Sequence, residues 1–179
     1  MTHRFYLQNS GDACGEAVSR TILFNNHGIE ATESELIRIA AGARPNGILS
    51  EKEKNLVTNL LKDGTDLHNL KNIADHFGLV LLGKNSSTVR DLKFFIDLGL
   101  WPIIHRPSEI EPEEGHYIVS CGYNGRMQIF DPALPKSKVK EENYEEFNRK
   151  WYYPELKERW FGIYVDPEKL PINKLRKYL

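Results

Sequence analysis

Apolar residues in the first half of the chain recur at steps of three and four, which is the spacing of one face of an α-helix. The first such stripe begins directly after Cys14 and ends before Gly28, a residue type that commonly caps the carboxyl end of a helix. Asp12 is the predicted N-cap, because its side-chain oxygen can accept a hydrogen bond from the first turn. The residues of the stripe are Ala17, Val18, Thr21 and Ile22.

Four more helices are predicted from capping signals and the apolar stripes that follow them. Thr32-Glu33-Ser34-Glu35 and Ser50-Glu51-Lys52-Glu53 both fit the capping-box pattern, in which a hydroxyl at the helix start is followed three residues later by Glu. Another helix is predicted from Leu67 to Phe77, and a further one from Thr88 to Gly99. The inward-facing residues predicted for the helix after Ser50 are Leu56, Val57, Leu60 and Leu61.

Strand patterns dominate the second half of the chain. Leu79 to Leu82 is a short apolar run between glycines, Leu100 to His105 predicts a second strand, and Gly162 to Val165 predicts a last one. Because helices come first and strands second, we predict an α+β protein rather than a series of βαβ units. A length of 179 residues with 40% hydrophobic content suits a single compact domain over residues 1–179.

The dipeptide Asn124-Gly125 predicts a β-hairpin with a two-residue type I′ turn. Such a turn sets Tyr123 opposite Arg126, and the pairing of the two strands can then be followed residue by residue. In this register Val119 lies opposite Phe130. The register decides which side chains of the hairpin share a face.

His116 and Asp131 are the residues of this hairpin that can take part in acid-base chemistry. The predicted register places His116, Ile118 and Asp131 on one face and Cys121 on the other. Asp131 is then a diagonal neighbour of His116, about 7 to 8 Å away between backbones, and can reach the imidazole if the strand ends curl together. A carboxylate there would orient the ring and stabilise its protonated form. The alternative is a strand-edge histidine and a turn-forming aspartate before Pro132.

Cys14 stands at the predicted start of the first helix, a position that makes a thiol reactive. The partial positive charge and the unpaired N–H groups of a helix start favour the thiolate over the thiol. The alternative is that Cys14 is a small buried hydrophobic residue, which is the usual state of a free cysteine. Glu16 is predicted to face solvent, and a negative charge so close to the thiolate would oppose its activation.

Composition excludes several classes of protein. With 24 basic and 25 acidic residues the formal net charge is -1, which gives no general electrostatic reason to bind nucleic acid. Two cysteines are too few for a disulfide scaffold, and neither they nor the six histidines form a metal pattern. The first residues lack the apolar run of a signal peptide, and no apolar stretch is long enough to span a bilayer. We therefore expect a cytoplasmic protein without a metal or an integral membrane segment.

Gln8 precedes Cys14-Gly15 by six positions, and His116 and Asp131 follow about a hundred residues later. In order and spacing this set resembles the papain-like cysteine peptidases that process bacteriocin leaders. This double-glycine leader peptidase family has the motif Gln, five residues, Cys-Gly and a small residue. The other segments that carry the resemblance are Gly64-Thr65-Asp66-Leu67, Trp101-Pro102-Ile103-Ile104-His105, Gly115-His116-Tyr117-Ile118-Val119 and Phe130-Asp131-Pro132.

The resemblance implies a papain-like fold, with a helical amino-terminal half that carries Cys14 and an antiparallel sheet half that carries His116 and Asp131. It also implies catalytic roles: Cys14 as nucleophile, His116 as its base, Asp131 as the group that orients His116, and Gln8 as a donor to the oxyanion. An ordinary loop amide is the alternative for Gln8. The implied activity is hydrolysis of a peptide bond without a cofactor, after Gly-Gly in leader peptides.

Alternatives to a peptidase stay open at this point. An acyltransferase or amidase could use the same fold, because a thioester can be resolved by nucleophiles other than water. A catalytically idle peptide-binding module is the other alternative. The expected partner is a peptide substrate, and any transporter would be a separate chain, because the sequence has no Gly-x-x-x-x-Gly-Lys-Ser/Thr phosphate loop. Trp101, Tyr117 and Trp160 are candidates for the walls of a narrow cleft, with a place in the core as the alternative for each.

Overall fold

A computed structural model of the chain describes residues 3–10, 12–109, 111, 113–134, 138–153 and 157–175. No helix in these ranges is both long and apolar enough to cross a lipid bilayer. The helices are α1 (Cys14–His27), α2 (Glu33–Ala40), α3 (Glu51–Asp63), α4 (Leu67–His76), α5 (Val89–Asp97), α6 (Tyr144–Trp151) and α7 (Ile172–Leu175). The strands are β1 (Val80–Lys84), β2 (Ile103–Pro107), β3 (Gly115–Tyr123), β4 (Met127–Phe130), β5 (Lys140–Glu142) and β6 (Trp160–Val165).

These six strands form one sheet in the order β1-β6-β2-β3-β4-β5, and every neighbouring pair is antiparallel. The late strand β6 lies between β1 and β2, so the carboxyl-terminal part of the chain completes the sheet rather than extending its edge. Cys14 belongs to the helical half, and His116 and Asp131 belong to the sheet half. The predicted α+β class and the papain-like arrangement of its two halves are therefore confirmed.

Both faces of the sheet are covered by helices. One hydrophobic cluster joins the sheet to α1, α2 and α4 and includes Val18 and Val119. A second cluster joins it to α5 and α6 and includes Phe95, Trp151 and Ile118. Neighbouring residues of β3 thus enter different clusters, as the alternation of side chains along a strand requires.

The two ends of α1 differ in how they are capped. Gly28 ends the helix with a left-handed φ of 69°, and its N–H donates to the carbonyl of Phe24, so the predicted C-cap is confirmed. At the other end Ala13 holds the N-cap position, and no side chain caps the first turn. The prediction that Asp12 is the cap is wrong by one residue. The first turn of α1, which begins at Cys14, therefore has N–H groups without a side-chain cap.

The helix α3 lies at the periphery of the fold. Ser50 and Glu53 form the predicted capping box, and Gly64 ends the helix. Leu60 is buried, but 37% of Leu56 is exposed, so the prediction that Leu56 faces inward is wrong. An apolar stripe shows which face of a helix is preferred for packing, but it does not show how far neighbouring elements extend along that face.

The strand β2 begins at Ile103, three residues later than the predicted start at Leu100. Pro102 has no N–H to donate to a neighbouring strand, which delays the start of regular pairing. Its carbonyl nevertheless accepts a hydrogen bond from Ser120 at 2.9 Å. The segment before β2 is therefore held against β3 without being part of the strand.

The turn between β3 and β4 is longer than predicted. Tyr123 pairs with Met127 rather than with Arg126, and the N–H of Asn124 donates to the carbonyl of Arg126 at 3.0 Å. Three residues therefore form the turn. The predicted two-residue type I′ turn is wrong, and so is the pairing predicted beside it.

A β-bulge corrects the register farther along the same hairpin. The ladder shifts by one residue between Ser120 and Gly122, so that Cys121 is the extra residue of β3. Beyond the bulge Val119 lies opposite Phe130, as predicted. The residue added by the turn and the residue added by the bulge lie on opposite strands and cancel each other. The predicted relation between the start of β3 and the end of β4 is therefore preserved.

Candidate active site

Cys14 is the first residue of α1, and only 8% of its surface is exposed. The residue after it has no side chain for a steric reason, because a Cβ atom at Gly15 would lie 2.6 Å from Cβ of Thr65. Thr65 packs directly on the helix start, and Thr65 and Cys14 line the same cleft. The first N–H groups of α1 have no acceptor within the helix, which places a partial positive charge beside the thiol.

His116 lies between Cys14 and Asp131. Its Nε2 lies 2.7 Å from Oδ1 of Asp131, and the Cys14 side chain is close enough to influence the pKa of the ring. Because Nε2 is engaged with the carboxylate, Nδ1 is the ring nitrogen left for the thiol. Burial opposes a charge on the ring, but the hydrogen bond and negative charge of Asp131 and the influence of the nearby Cys14 side chain raise the pKa of His116 to about 9. The surroundings thus favour an imidazolium over a neutral ring.

Asp131 is buried and contacted by several groups besides His116. Its Oδ1 accepts a hydrogen bond from the N–H of Ala133 at 3.0 Å, and its Oδ2 lies 4.0 Å from Nη2 of Arg106. Burial acts to raise the pKa of Asp131, but the hydrogen bond and charge of His116, the N–H of Ala133 and the charge of Arg106 lower it. Arg106 is buried as well and pairs with Glu142 at 3.1 Å. Asp131 is therefore held as a carboxylate.

Gln8 lies in an extended segment beside the residue that follows Asp131. Its backbone N–H donates to the carbonyl of Pro132 at 3.1 Å. Gln8 lines the same cleft as Cys14 and His116. The structure thus brings all four predicted site residues into one region, and their catalytic roles stay predictions.

The cleft beside Cys14 has a volume of about 560 Å³. Gly64 and Thr65 line it near the start of α1. His105 and Tyr153 line it as well, and their rings are stacked, with centroids 4.9 Å apart and an angle of 17° between the ring planes. Burial and the nearby charge of His116 lower the pKa of His105 to about 4, so this ring is neutral. No group of three or more His, Cys, Asp or Glu in the part of the chain described by the structure could hold a metal ion.

The aromatic residues suggested as cleft walls lie elsewhere. Trp101 and Tyr117 are buried in the first hydrophobic cluster, which agrees with the core alternative. Trp160 lines a separate pocket formed with β1 and α4. The cleft instead contains Tyr153, which sequence reasoning missed because it belongs to an aromatic run, Trp151-Tyr152-Tyr153, that has no regular period. His105 is part of a segment that carries the family resemblance, although no role was predicted for it.

The prediction that Glu16 faces solvent is wrong. Its side chain is fully buried, and its carboxylate accepts a hydrogen bond from the hydroxyl of Thr65 at 2.6 Å. Burial is the largest influence and raises the pKa of Glu16 to about 7. A large fraction of this group is therefore protonated at neutral pH, and the negative charge that would oppose a thiolate is correspondingly reduced.

Cys121 lacks the helix-start position of Cys14. It sits at the bulge in β3, and its Sγ lies 3.5 Å from the carbonyl oxygen of Gln128. Burial raises the pKa of the Cys121 thiol to about 12. At neutral pH this thiol is overwhelmingly protonated and is a poor nucleophile.

No protein-family model and no curated protein sequence matches the chain. Among solved structures, the peptidase domain of Streptococcus ComA, a bifunctional ABC transporter involved in quorum sensing, matches with a TM-score of 0.61 and 18% identity over 92% of this chain and 98% of that domain. A double glycine motif protease from an AMS/PCAT transporter, solved in complex with its leader peptide, matches with a TM-score of 0.53 and 18% identity over 92% of this chain and 91% of the protease. The peptidase domain of Streptococcus mutans ComA matches with a TM-score of 0.51 and 17% identity over 90% and 98%. The chain therefore has the papain-like fold of double-glycine leader peptidase domains.

Proposed function

We propose that this protein is a cysteine peptidase that cleaves leader peptides after a Gly-Gly pair. The observation that carries the proposal is the meeting of Cys14, at an uncapped helix start, with the hydrogen-bonded pair His116 and Asp131 at one cleft. A thiol, a base and a group that orients the base are the parts that a thiol peptidase needs.

In the proposed reaction His116 accepts the proton of Cys14, and the thiolate attacks the carbonyl carbon of the scissile peptide bond. The imidazolium then gives its proton to the leaving amine as the C–N bond breaks, which leaves a thioester on Cys14. A water molecule attacks this thioester while His116 takes a proton from the water. The C–S bond then breaks, the acid is released, and the proton on His116 restores the thiol of Cys14. Asp131 orients the ring throughout and stabilises its charged form.

The oxyanion formed by each attack needs hydrogen-bond donors in a fixed position. Gln8 lines the cleft next to Cys14, and the backbone N–H of Cys14 belongs to the first turn of α1, where helical acceptors are absent. We assign the side-chain amide of Gln8 and the N–H of Cys14 to this role. Both donors are uncharged. They can therefore stabilise the negative charge that develops on the carbonyl oxygen without pairing with the thiolate before the attack.

The substrate part of the proposal rests on the likeness to the double glycine motif protease that was solved with its leader peptide. It is supported by close packing around Cys14, where Thr65 lies against Gly15 and the His105–Tyr153 stack lines the same cleft. A glycine on the acyl side brings no side chain into this space, so its carbonyl can approach the sulfur.

The test uses a synthetic peptide with an amphipathic leader that ends in Gly-Gly, followed by a short cargo. We expect cleavage after the second glycine, detected by mass spectrometry, and no cleavage when that glycine is replaced by valine. Cys14→Ala should abolish the product, whereas the matched variant Cys121→Ala should keep it. Cleavage that persists in Cys14→Ala, or that is lost only in Cys121→Ala, contradicts the assignment of the nucleophile.

The same assay separates hydrolysis from its alternatives. In isotopically labelled water a hydrolase places one labelled oxygen in the new carboxylate, whereas an acyltransferase leaves the acyl group on an added amine. Binding of the peptide without any covalent product in wild type would favour the idle peptide-binding module. Cleavage of other peptides but of no Gly-Gly peptide would leave the cysteine peptidase and remove its proposed specificity.

A further inference from the structure

Asn9 and Ser10, which follow Gln8 in the chain, are held by one buried carboxylate on α2. Glu33 is 8% exposed, and its Oε1 accepts hydrogen bonds from the backbone N–H groups of Asn9 at 2.9 Å and Ser10 at 3.2 Å. Its Oε2 accepts a third hydrogen bond from the side-chain amide of Asn9 at 2.6 Å. Three donors of two consecutive residues therefore meet on a single carboxylate.

Glu33 lies at the start of α2 but does not cap that helix. It is the first residue of α2, directly after the N-cap Thr32, and a helix start stabilises a negative charge. Capping of α2 does not require the Glu33 side chain, because the hydroxyl of Thr32 accepts the N–H of Glu35 at 3.1 Å. Hydrogen bonds to a carboxylate are roughly twice as strong as those between neutral groups. The carboxylate of Glu33 is thus committed to the Asn9–Ser10 segment rather than to its own helix.

The backbone that carries the Gln8 side chain is attached to the protein at two places. At Gln8 itself the backbone N–H donates to the carbonyl of Pro132, the residue that follows Asp131. After it, Asn9 and Ser10 are bonded to Glu33. Pro132 thereby ties Gln8 to the sheet half of the site, and Glu33 ties the same segment to the helical half.

We propose that Glu33 is a positioning residue of the oxyanion site, which acts by fixing Asn9 and Ser10 and, through them, the position of Gln8 relative to Cys14. The proposal rests on the peptidase function proposed above. An oxyanion donor works only if it is held where the oxyanion forms, and a displacement of about 1 Å can cost up to about a hundredfold in rate. Glu33 does not itself contact the substrate in this assignment.

The informative variant is Glu33→Gln. A glutamine at this position has one acceptor oxygen and one amide nitrogen, so its NH2 group would face N–H donors where a carboxylate oxygen now accepts them. We expect kcat for a Gly-Gly peptide to fall by about tenfold to a hundredfold with little change in KM, because the contacts to the substrate stay in place. The fall should not exceed that of Gln8→Ala, for which we expect about a hundredfold to a thousandfold.

A double-mutant cycle tests whether Glu33 acts through Gln8. If it does, Glu33→Gln should lower kcat in the wild-type background but cause almost no further loss when Gln8→Ala is already present. Equal losses in both backgrounds would overturn the proposal. The matched control is Glu35→Gln, which removes one carboxylate from the same turn of α2 and should leave kcat unchanged.

Alkylation of Cys14 by iodoacetamide separates positioning from general damage, because this reaction forms no oxyanion. We expect an unchanged alkylation rate in Glu33→Gln, together with faster hydrogen exchange at the N–H groups of Asn9 and Ser10. A parallel loss of alkylation would show that the helix start itself is disturbed and would overturn the proposal. If the wild-type protein cleaves the peptide and the Glu33→Gln variant is fully active, this inference alone is overturned. If the wild-type protein cleaves no peptide, the proposed function is overturned and this inference with it.

Discussion

Replacing Glu16 by Gln should stabilise the protein at alkaline pH and have a much smaller effect at acidic pH. The carboxyl of Glu16 is fully buried, and burial raises its pKa from the ordinary 4.5 to about 7. This difference of about 2.5 corresponds to about 3 kcal/mol, at about 1.36 kcal/mol for each pKa unit. Gln is neutral at all pH values, and its amide oxygen can still accept the hydrogen bond from Thr65.

The sign follows from which state of the protein binds the proton more tightly. Below about pH 4.5 Glu16 is protonated in both states, so wild type pays no cost for a buried charge. Between about pH 4.5 and 7 the unfolded chain releases the proton while the folded protein keeps it, and the stability of wild type falls as pH rises. Above about pH 7 the folded protein must ionise as well, and the full cost is present. Glu16→Gln avoids this cost.

Urea unfolding followed by tryptophan fluorescence measures the effect, with wild type and variant compared at about pH 4 and about pH 8. The advantage of Glu16→Gln should grow by about 3 kcal/mol between the two conditions. Glu51→Gln is the matched control, because it removes the carboxylate of a side chain that is 84% exposed in the first turn of α3. A difference between wild type and Glu16→Gln that does not depend on pH would refute the reasoning, since a group with an ordinary pKa in both states contributes no such dependence.

Three further predictions concern the site itself. Iodoacetamide should label Cys14 before Cys121, whose thiol pKa is raised by burial to about 12, and equal rates at neutral pH would contradict the assignment. Peptidase activity should decline as pH rises through about 9, where His116 loses the proton needed by the leaving amine, and an activity that still increases above about pH 10 would exclude that role. Gly15→Ala should destabilise the protein by about 1 to 3 kcal/mol in urea unfolding, because the new Cβ would lie 2.6 Å from Cβ of Thr65, and Thr65→Gly should relieve most of the loss.

Local capping signals predicted the helices well because they depend on groups only three residues apart. Ser50 forms the predicted capping box, and Thr88 is the N-cap of α5 as predicted. At Thr32 the hydroxyl accepts the N–H of Glu35, which is one half of the predicted box. The same signal was present but overlooked before α6, where the side chain of Asn143 accepts the N–H of Glu146. That helix could therefore have been predicted from the sequence. The extent of burial along α3 could not, since it depends on how far the neighbouring helices reach.

The pairing of His116 with Asp131 was predicted for a reason that is only partly correct. The dipeptide Asn124-Gly125 signals a hairpin, but it does not by itself fix the number of residues in the turn. A three-residue turn alone would have shifted the register by one and moved every side chain of one strand to the other face. The bulge at Cys121 removes that shift before the catalytic end of the hairpin. A glycine inside a strand often marks a bulge, and Gly122 lies directly after Cys121, so the signal was in the sequence although the hairpin pattern alone does not include it.

The largest failures of sequence reasoning are charged residues that the fold buries around the site. Glu16, Glu33 and Arg106 lie at positions where a sequence-based rule would place a charge in solvent. Each of them contacts a residue that lines the cleft, adjoins Gln8 or belongs to the site: Glu16 holds Thr65, Glu33 holds Asn9 and Ser10, and Arg106 lies next to Asp131. Burying a charge costs free energy even when it is paired, so hydrophobic residues of similar size would often give an equally stable or more stable fold. A cost that recurs on α1, α2 and β2 around one cleft is better explained by the positioning of that cleft than by stability.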